Sequence, residues 1–121
     1  MAEETYDVWR IFTLPDGKSS MERLRVALEG GRSRLLAGKD VQIAVIPANR
    51  STSWHTGPGR TLIATIAGGG ELEMGDGQVL SMKPGTITLI EDLTGQGHMT
   101  RNGPEGRVCV FVTLEENAAV E

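Results

Sequence analysis

The sequence predicts an all-β domain, a barrel or sandwich built from short strands. Two observations carry that expectation. Runs rich in β-branched residues recur along the whole chain, and Gly, Pro, Asn or Asp punctuates them. Helical periodicity is nearly absent, whereas period-two alternation is common.

The runs are taken in order. Strands are expected over Val8-Phe12, Met21-Leu28 and Val41-Pro47, then Thr61-Ala67, Glu71-Met74 and Gln78-Met82. Thr86-Ile90, His98-Arg101 and Arg107-Leu114 complete the set. The stretch from Ser19 to Leu28 admits a capped helix, but Met21, Arg23 and Arg25 alternate against Leu24, Val26 and Leu28, which favours a strand. Gly75-Asp76-Gly77 after Glu71-Met74 is a hairpin signal. Lys83-Pro84-Gly85-Thr86 carries Pro and Gly where a type II turn wants them. Gly68-Gly69-Gly70 lacks the Lys-Ser/Thr of a phosphate loop and precedes a strand, so it reads as a bend with close backbone approach. Asn102-Gly103-Pro104-Glu105-Gly106 reads as a link between strands, and the tails Met1-Thr5 and Glu115-Glu121 as frayed.

Bulk properties narrow the function classes. At 121 residues the chain is expected to be one domain, spanning 1-121. Such a chain buries roughly two-thirds of its unfolded surface, enough to fold without disulfides or a structural metal. Twelve basic against sixteen acidic residues give a net charge of −4, and no basic stripe invites nucleic acid. No apolar run approaches the roughly 20 residues of a membrane span, and the acidic Met1-Ala2-Glu3-Glu4 is unlike a signal peptide. A cytoplasmic protein is expected. Cys109 is the single cysteine and lies in an apolar strand, where an inert buried thiol is the expectation.

The two histidines draw the eye. His55 sits in Trp54-His55-Thr56-Gly57-Pro58-Gly59-Arg60, and His98 closes Thr94-Gly95-Gln96-Gly97-His98. On these residues the chain resembles the cupin superfamily, over about 41-114. His55 stands where the first cupin motif has its leading histidine, Gly68 where it has its closing glycine. Gly57 and Thr61 stand where that motif has a second histidine and a carboxylate. Gly77, Pro84-Gly85 and His98 follow the second motif, with Asn102 four residues beyond. Trp54-His55, Pro58, Arg60 and Glu91-Asp92-Leu93-Thr94-Gly95-Gln96-Gly97-His98 also look like small single-domain bacterial cupins. The resemblance implies a single-domain, jelly-roll-like β-barrel with both histidines in its lumen. It also implies a degenerate metal motif, half of the usual four ligands being replaced.

The candidate chemistry follows from the residue types. Imidazole binds Mn, Fe, Ni or Zn, but two alone hold a divalent metal poorly, so the expected cofactor is none or a weakly held metal on His55 and His98. Without a metal, the same pair can act as acid and base, because imidazole titrates near neutrality. Arg60 or Arg101 would hold an anionic substrate or a developing oxyanion. Thr61, Ile63 and Thr65 would share the lumen face, and Glu91 or Asp92 would turn one carboxylate inward. An inward carboxylate among apolar residues titrates higher than usual and can serve as acid or base. A loop carboxylate accepting backbone N–H bonds is the plainer alternative.

The leading expectation is a small-molecule enzyme of lyase, isomerase or cyclase type. An iron-dependent dioxygenase and a non-catalytic ligand-binding cupin are the alternatives. Leu62, Ala64 and Ile66 make the opposite face of Thr61-Ala67 apolar as well, so another sheet or subunit should cover it. Together with the resemblance this points to a homodimer, with Trp54 in packing or the subunit interface.

Overall fold

The computed structural model describes residues 4–120. Seven strands follow one another: β1 (Glu4–Thr13), β2 (Ser19–Leu28), β3 (Gly38–Ile46), β4 (Thr61–Glu73), β5 (Val79–Met82), β6 (Ile87–Ile90) and β7 (Met99–Leu114). They pair in the order β2-β1-β6-β4-β7-β3, with β5 on the far part of β4. Only β1 and β6 run parallel; the other pairings are antiparallel. The fold is all-β, an open sheet curled into a cup.

Alternation explains β2. Leu24 and Val26 are buried while Arg23, Arg25 and Ala27 are exposed, a period of two that no helix can satisfy. The hairpin between β4 and β5 closes through Met74 N–H donating to Gln78 O at 2.8 Å, and the next turn through Thr86 N–H to Lys83 O at 2.9 Å. Both turns fall where the sequence put them.

Elsewhere the sheet is more continuous than expected. The strands expected at Thr61-Ala67 and Glu71-Met74 are one element, β4, and those at His98-Arg101 and Arg107-Leu114 are joined in β7. Glycine shortens no strand here; it bends two together. Gly68 has φ +71°, and a Cβ on it would lie 2.1 Å from Gly106 O. The β4–β7 register shifts twice around this point. Bulges of this kind add local bend without ending the ladder. So β4 curls while staying paired with β7, and the expected link at 102-106 runs inside β7.

Each sheet face has its own apolar cluster. On the inner face Ile11, Leu72, Met74, Leu80, Met82 and Ile90 pack together, with Ile63 against them. On the other face Val8, Leu24, Val26, Leu89 and Leu114 form a second cluster that includes Ala118 and Val120. The carboxy-terminal tail is therefore docked rather than frayed through 120. Glu4 and Thr5 likewise pair with Leu28 and Ala27. Met1–Glu3 and Glu121, the rest of the expected frayed tails, lie outside the described residues.

The tail and Leu36 cover the Leu62 side of the outer face, which was expected to need another sheet or subunit. Towards the β3 edge the cover stops. Val41, Ile43 and Val45 are 70%, 73% and 75% exposed, and Ile66 is 56% exposed.

Candidate active site

His55 reaches the cup on a stretch outside the named strands that lies alongside the start of β7. Asn102 N–H donates to Arg50 O, and Thr52 N–H to Thr100 O, each at 2.9 Å. The run ends with His55 and His98 exchanging backbone bonds: His55 N–H to His98 O at 3.0 Å, and His98 N–H to His55 O at 2.9 Å. Residues directly opposite in an antiparallel pair project to the same side. The two imidazoles accordingly meet edge to face, with centroids 4.6 Å apart and planes at 62°. Gly97 makes this approach possible. It has φ +75°, and a Cβ there would sit 1.9 Å from His55 O.

The tautomers follow from the partners. His98 Nδ1 lies 2.5 Å from Asp92 Oδ2, and the Asp92 side chain is fully buried. His55 Nδ1 lies 2.9 Å from Ser53 O. A carbonyl oxygen and a carboxylate oxygen accept, so Nδ1 of each ring is assigned the hydrogen and donates. Nε2 of each ring is left as the free nitrogen, able to take up a proton or bind an electrophile. Asp92 Oδ1 has no partner, so the carboxylate is committed to one contact.

The pair borders a cavity of about 380 Å³. Ile63, Leu72, Met82, Ile90 and Phe111 supply its apolar wall. The polar groups are few: the two histidines, Thr52, Thr61, Thr88 and Thr100, and three residues that come from around the bend, Arg50, Asn102 and Arg107. An apolar pocket with a small number of convergent polar groups is the usual form of a small-molecule site.

Several residues named from the sequence lie elsewhere. Arg60 does not line this cavity: its Nε donates to Glu91 Oε2 at 2.6 Å, and its Nη1 to the carbonyls of Glu115, Glu116 and Ala118. It pins the tail, so the expected catalytic role has no geometry behind it. Glu91 is the outward member of the acid pair, bonded by Arg10 as well as Arg60. Burial alone would raise its pKa, but those two guanidiniums outweigh it and hold Glu91 below the usual value. Asp92 is the inward member, but it touches His98 rather than the open cavity, so it orients a ring instead of binding substrate. Arg101 pairs with Glu73 at 2.7 Å and Glu71 at 3.4 Å across β4 and β7, away from the lining. Thr61 and Ile63 do line the cavity, whereas Thr65 is buried opposite Cys109 and does not. Cys109 is a fully buried free thiol, and burial pushes its pKa up despite the nearby Arg107.

Arg107 is the residue that sequence reasoning passed over. It was only the first residue of an expected strand. Yet it shares parity with the buried Cys109 and the cavity-lining Phe111, and that alternation turns it inward.

The metal site implied by the cupin resemblance fits this chain poorly. Gly57 stands at the second histidine position, and a Cβ there would lie 2.5 Å from Ile90 Cγ2, so no side chain fits without displacing the wall. Thr61 offers a neutral hydroxyl that donates to Gly59 O at 2.9 Å. Asp92 occupies the far nitrogen of His98. Among the described residues no group of three or more His, Cys, Asp and Glu converges as a metal site. Two imidazole nitrogens fall short of the three or four protein donors that such ions normally take.

No family model matches the chain, and no curated protein matches it. Among solved structures, an RmlC-like cupin protein from Desulfovibrio desulfuricans is similar at 14% identity, with 88% of this chain and 81% of that one covered and a TM-score of 0.46. No helix among the described residues is long and apolar enough to cross a membrane.

Proposed function

We propose that the cup is the active site of a small-molecule enzyme of lyase, isomerase or cyclase type, working by proton transfer at its histidine pair. The observation that carries this reading is the buried Asp92–His98 contact of 2.5 Å at the wall of an apolar cavity. A carboxylate on Nδ1 fixes the ring's orientation and leaves Nε2 to exchange the proton. His98 is the general base, taking a proton from carbon beside a carbonyl. His55, edge-on at 4.6 Å and exposed, is the second proton carrier: it takes a proton from solvent at Nε2 and delivers it to the product, while His98 releases the abstracted proton to solvent. The hydroxyls of Thr61 and Thr100 lie within the same lining and contact the substrate's polar groups. A divalent metal on the histidine pair would have two protein donors, and no step is assigned to it.

Exchange of substrate C–H for deuterium in heavy water, followed by NMR over a panel of oxo acids and keto sugars, tests the reading. Exchange is expected with the wild-type protein, and a loss of about 10²- to 10⁴-fold in His98→Gln. Ligands that bind yet never exchange would sink the catalytic reading and leave a binding protein. We also propose that two copies pair through the exposed valine and isoleucine face of β3.

A further inference from the structure

Arg107 is 6% exposed and lines the cavity, yet it has no acidic partner among the described residues. The other half-buried arginines, Arg10, Arg60 and Arg101, all rest on glutamates. What Arg107 has instead is a sulfur: Nη1 lies 2.7 Å from Met82 Sδ, a weak acceptor. Its Nε is buried with no partner. Burial pulls its pKa below the usual arginine value, although Cys109 nearby works the other way. An isolated buried cation is among the least favourable groups a protein can hold, and it persists where something supplies the missing charge.

Asn102 is the second unsatisfied group on the same wall. It is 7% exposed, and its Nδ2 donates to Arg50 O at 2.9 Å, which fixes the amide's orientation. The amide oxygen, Oδ1, is left buried without a donor. Both residues belong to β7, on either side of the bend at Gly106, and both line the cavity. One wants an anion and the other a hydrogen-bond donor.

We infer that the cavity takes a small carboxylate bearing a neighbouring hydroxyl or amino group, its carboxylate seated on Arg107 and its donor group on Asn102 Oδ1. With Nη1 held by Met82, Nε and Nη2 form the remaining edge of the guanidinium, a planar fork that matches the two oxygens of a carboxylate. Asn102 Oδ1 asks for a hydrogen-bond donor, which a hydroxy or amino acid carries beside its carboxylate and a phosphate dianion does not, while Arg50 lines the same cavity from its exposed side. Carboxylate binding also suits proton abstraction at carbon, because it orients the acidic C–H with respect to a fixed base. The inference rests on the cavity being the working site, but not on His98 moving a proton.

Calorimetric titration with lactate, acetate and inorganic phosphate tests it on wild type, Arg107→Met, Arg107→Lys, Asn102→Ala and His98→Gln. Methionine keeps an unbranched chain in the wall and removes the unpaired charge, so Arg107→Met is expected to fold. Lysine keeps the charge without the fork. Lactate is expected to bind wild type at millimolar concentration and at least about tenfold more weakly in Arg107→Met, with Arg107→Lys in between. The advantage of lactate over acetate is expected to vanish in Asn102→Ala. His98→Gln is expected to keep carboxylate binding while losing deuterium exchange, so failure of the catalytic reading shows separately. Absence of lactate binding to wild type, binding indifferent to Arg107, or phosphate binding as tightly as lactate would each overturn the inference.

Discussion

Replacing Gly97 by alanine should damage the protein more than any surface glycine does, because it drives the two histidine segments apart. The added Cβ would meet His55 O at 1.9 Å, His55 C at 2.2 Å and Thr56 N at 2.7 Å, all of them backbone atoms that no rotamer change can clear. The His55 segment has to retreat by more than about 1 Å to restore ordinary contact. That retreat breaks the reciprocal His55–His98 bonds of 3.0 and 2.9 Å. Each is worth about 0.5–1.5 kcal/mol, and the left-handed backbone at φ +75° adds about 1 kcal/mol of strain for alanine. The expected loss is therefore about 2–4 kcal/mol, or a melting temperature lower by roughly 10 °C in a chain of this size. Gly77→Ala is the control. It has φ +93° but nothing within 4 Å of the added Cβ, so only the strain of about 1 kcal/mol should appear. Urea unfolding of both variants gives the comparison directly. Equal losses in the two would refute the close approach at Gly97 and with it the placement of His55 beside His98.

Asp92→Asn should leave the fold nearly intact, since the amide is isosteric, while reducing turnover by about 10²- to 10⁴-fold through loss of the fixed His98 tautomer. Imidazole ¹⁵N shifts, which report the tautomer, should change at His98 and not at His55. Glu91 has its pKa lowered below the ordinary 4.5, so it favours the folded state above that value and loses the contribution as pH falls through its lower folded value. Glu91→Gln should therefore be less stable near neutrality and show a shallower fall in acid, as thermal melts across pH would record. Ile43→Glu, on the exposed β3 face, should convert a dimer to a monomer in sedimentation experiments without lowering the melting temperature of the monomer. A monomeric wild type would remove the pairing proposal.

Alternation was legible wherever a side chain's neighbours along the strand were themselves decisive. Leu24 and Val26 against Arg23 and Arg25 told strand from helix, and the turns at Gly75-Asp76-Gly77 and Lys83-Pro84-Gly85-Thr86 announced themselves by residue type. Long-range pairing was not legible. Gly68 and Gly106 each look like an interruption in one dimension, and only together do they make a bend that keeps β4 and β7 paired. The tail misled for a similar reason. Ala118 and Val120 are too few to announce a buried segment, and the Arg60 guanidinium that collects the tail carbonyls lies far away in sequence. The histidines could be singled out because they are the only two, whereas Arg107 is one arginine among many until its lack of a carboxylate is seen.

The adjacent carboxylates show how the outer structure can govern the site. Strand parity sends Glu91 outward, where Arg10 of β1 and Arg60, just before β4, both bond it, and its own N–H donates to Ile11 O at 2.7 Å. The backbone at residue 91 is therefore held from several directions. One residue on, Asp92 inherits that rigidity: its carbonyl accepts from Gly57 N–H at 3.0 Å, and its carboxylate reaches His98. Since Gly57 and Asp92 flank the two histidines in sequence, this one bond ties the His55 segment to the residue that orients His98. The external ion pairs would contribute little as isolated surface bridges. Their position immediately before Asp92 gives them a different consequence. Loosening Glu91 should blur the His98 tautomer as well as lower stability, so Glu91→Gln should broaden the His98 ¹⁵N signals even at a pH where the protein remains fully folded.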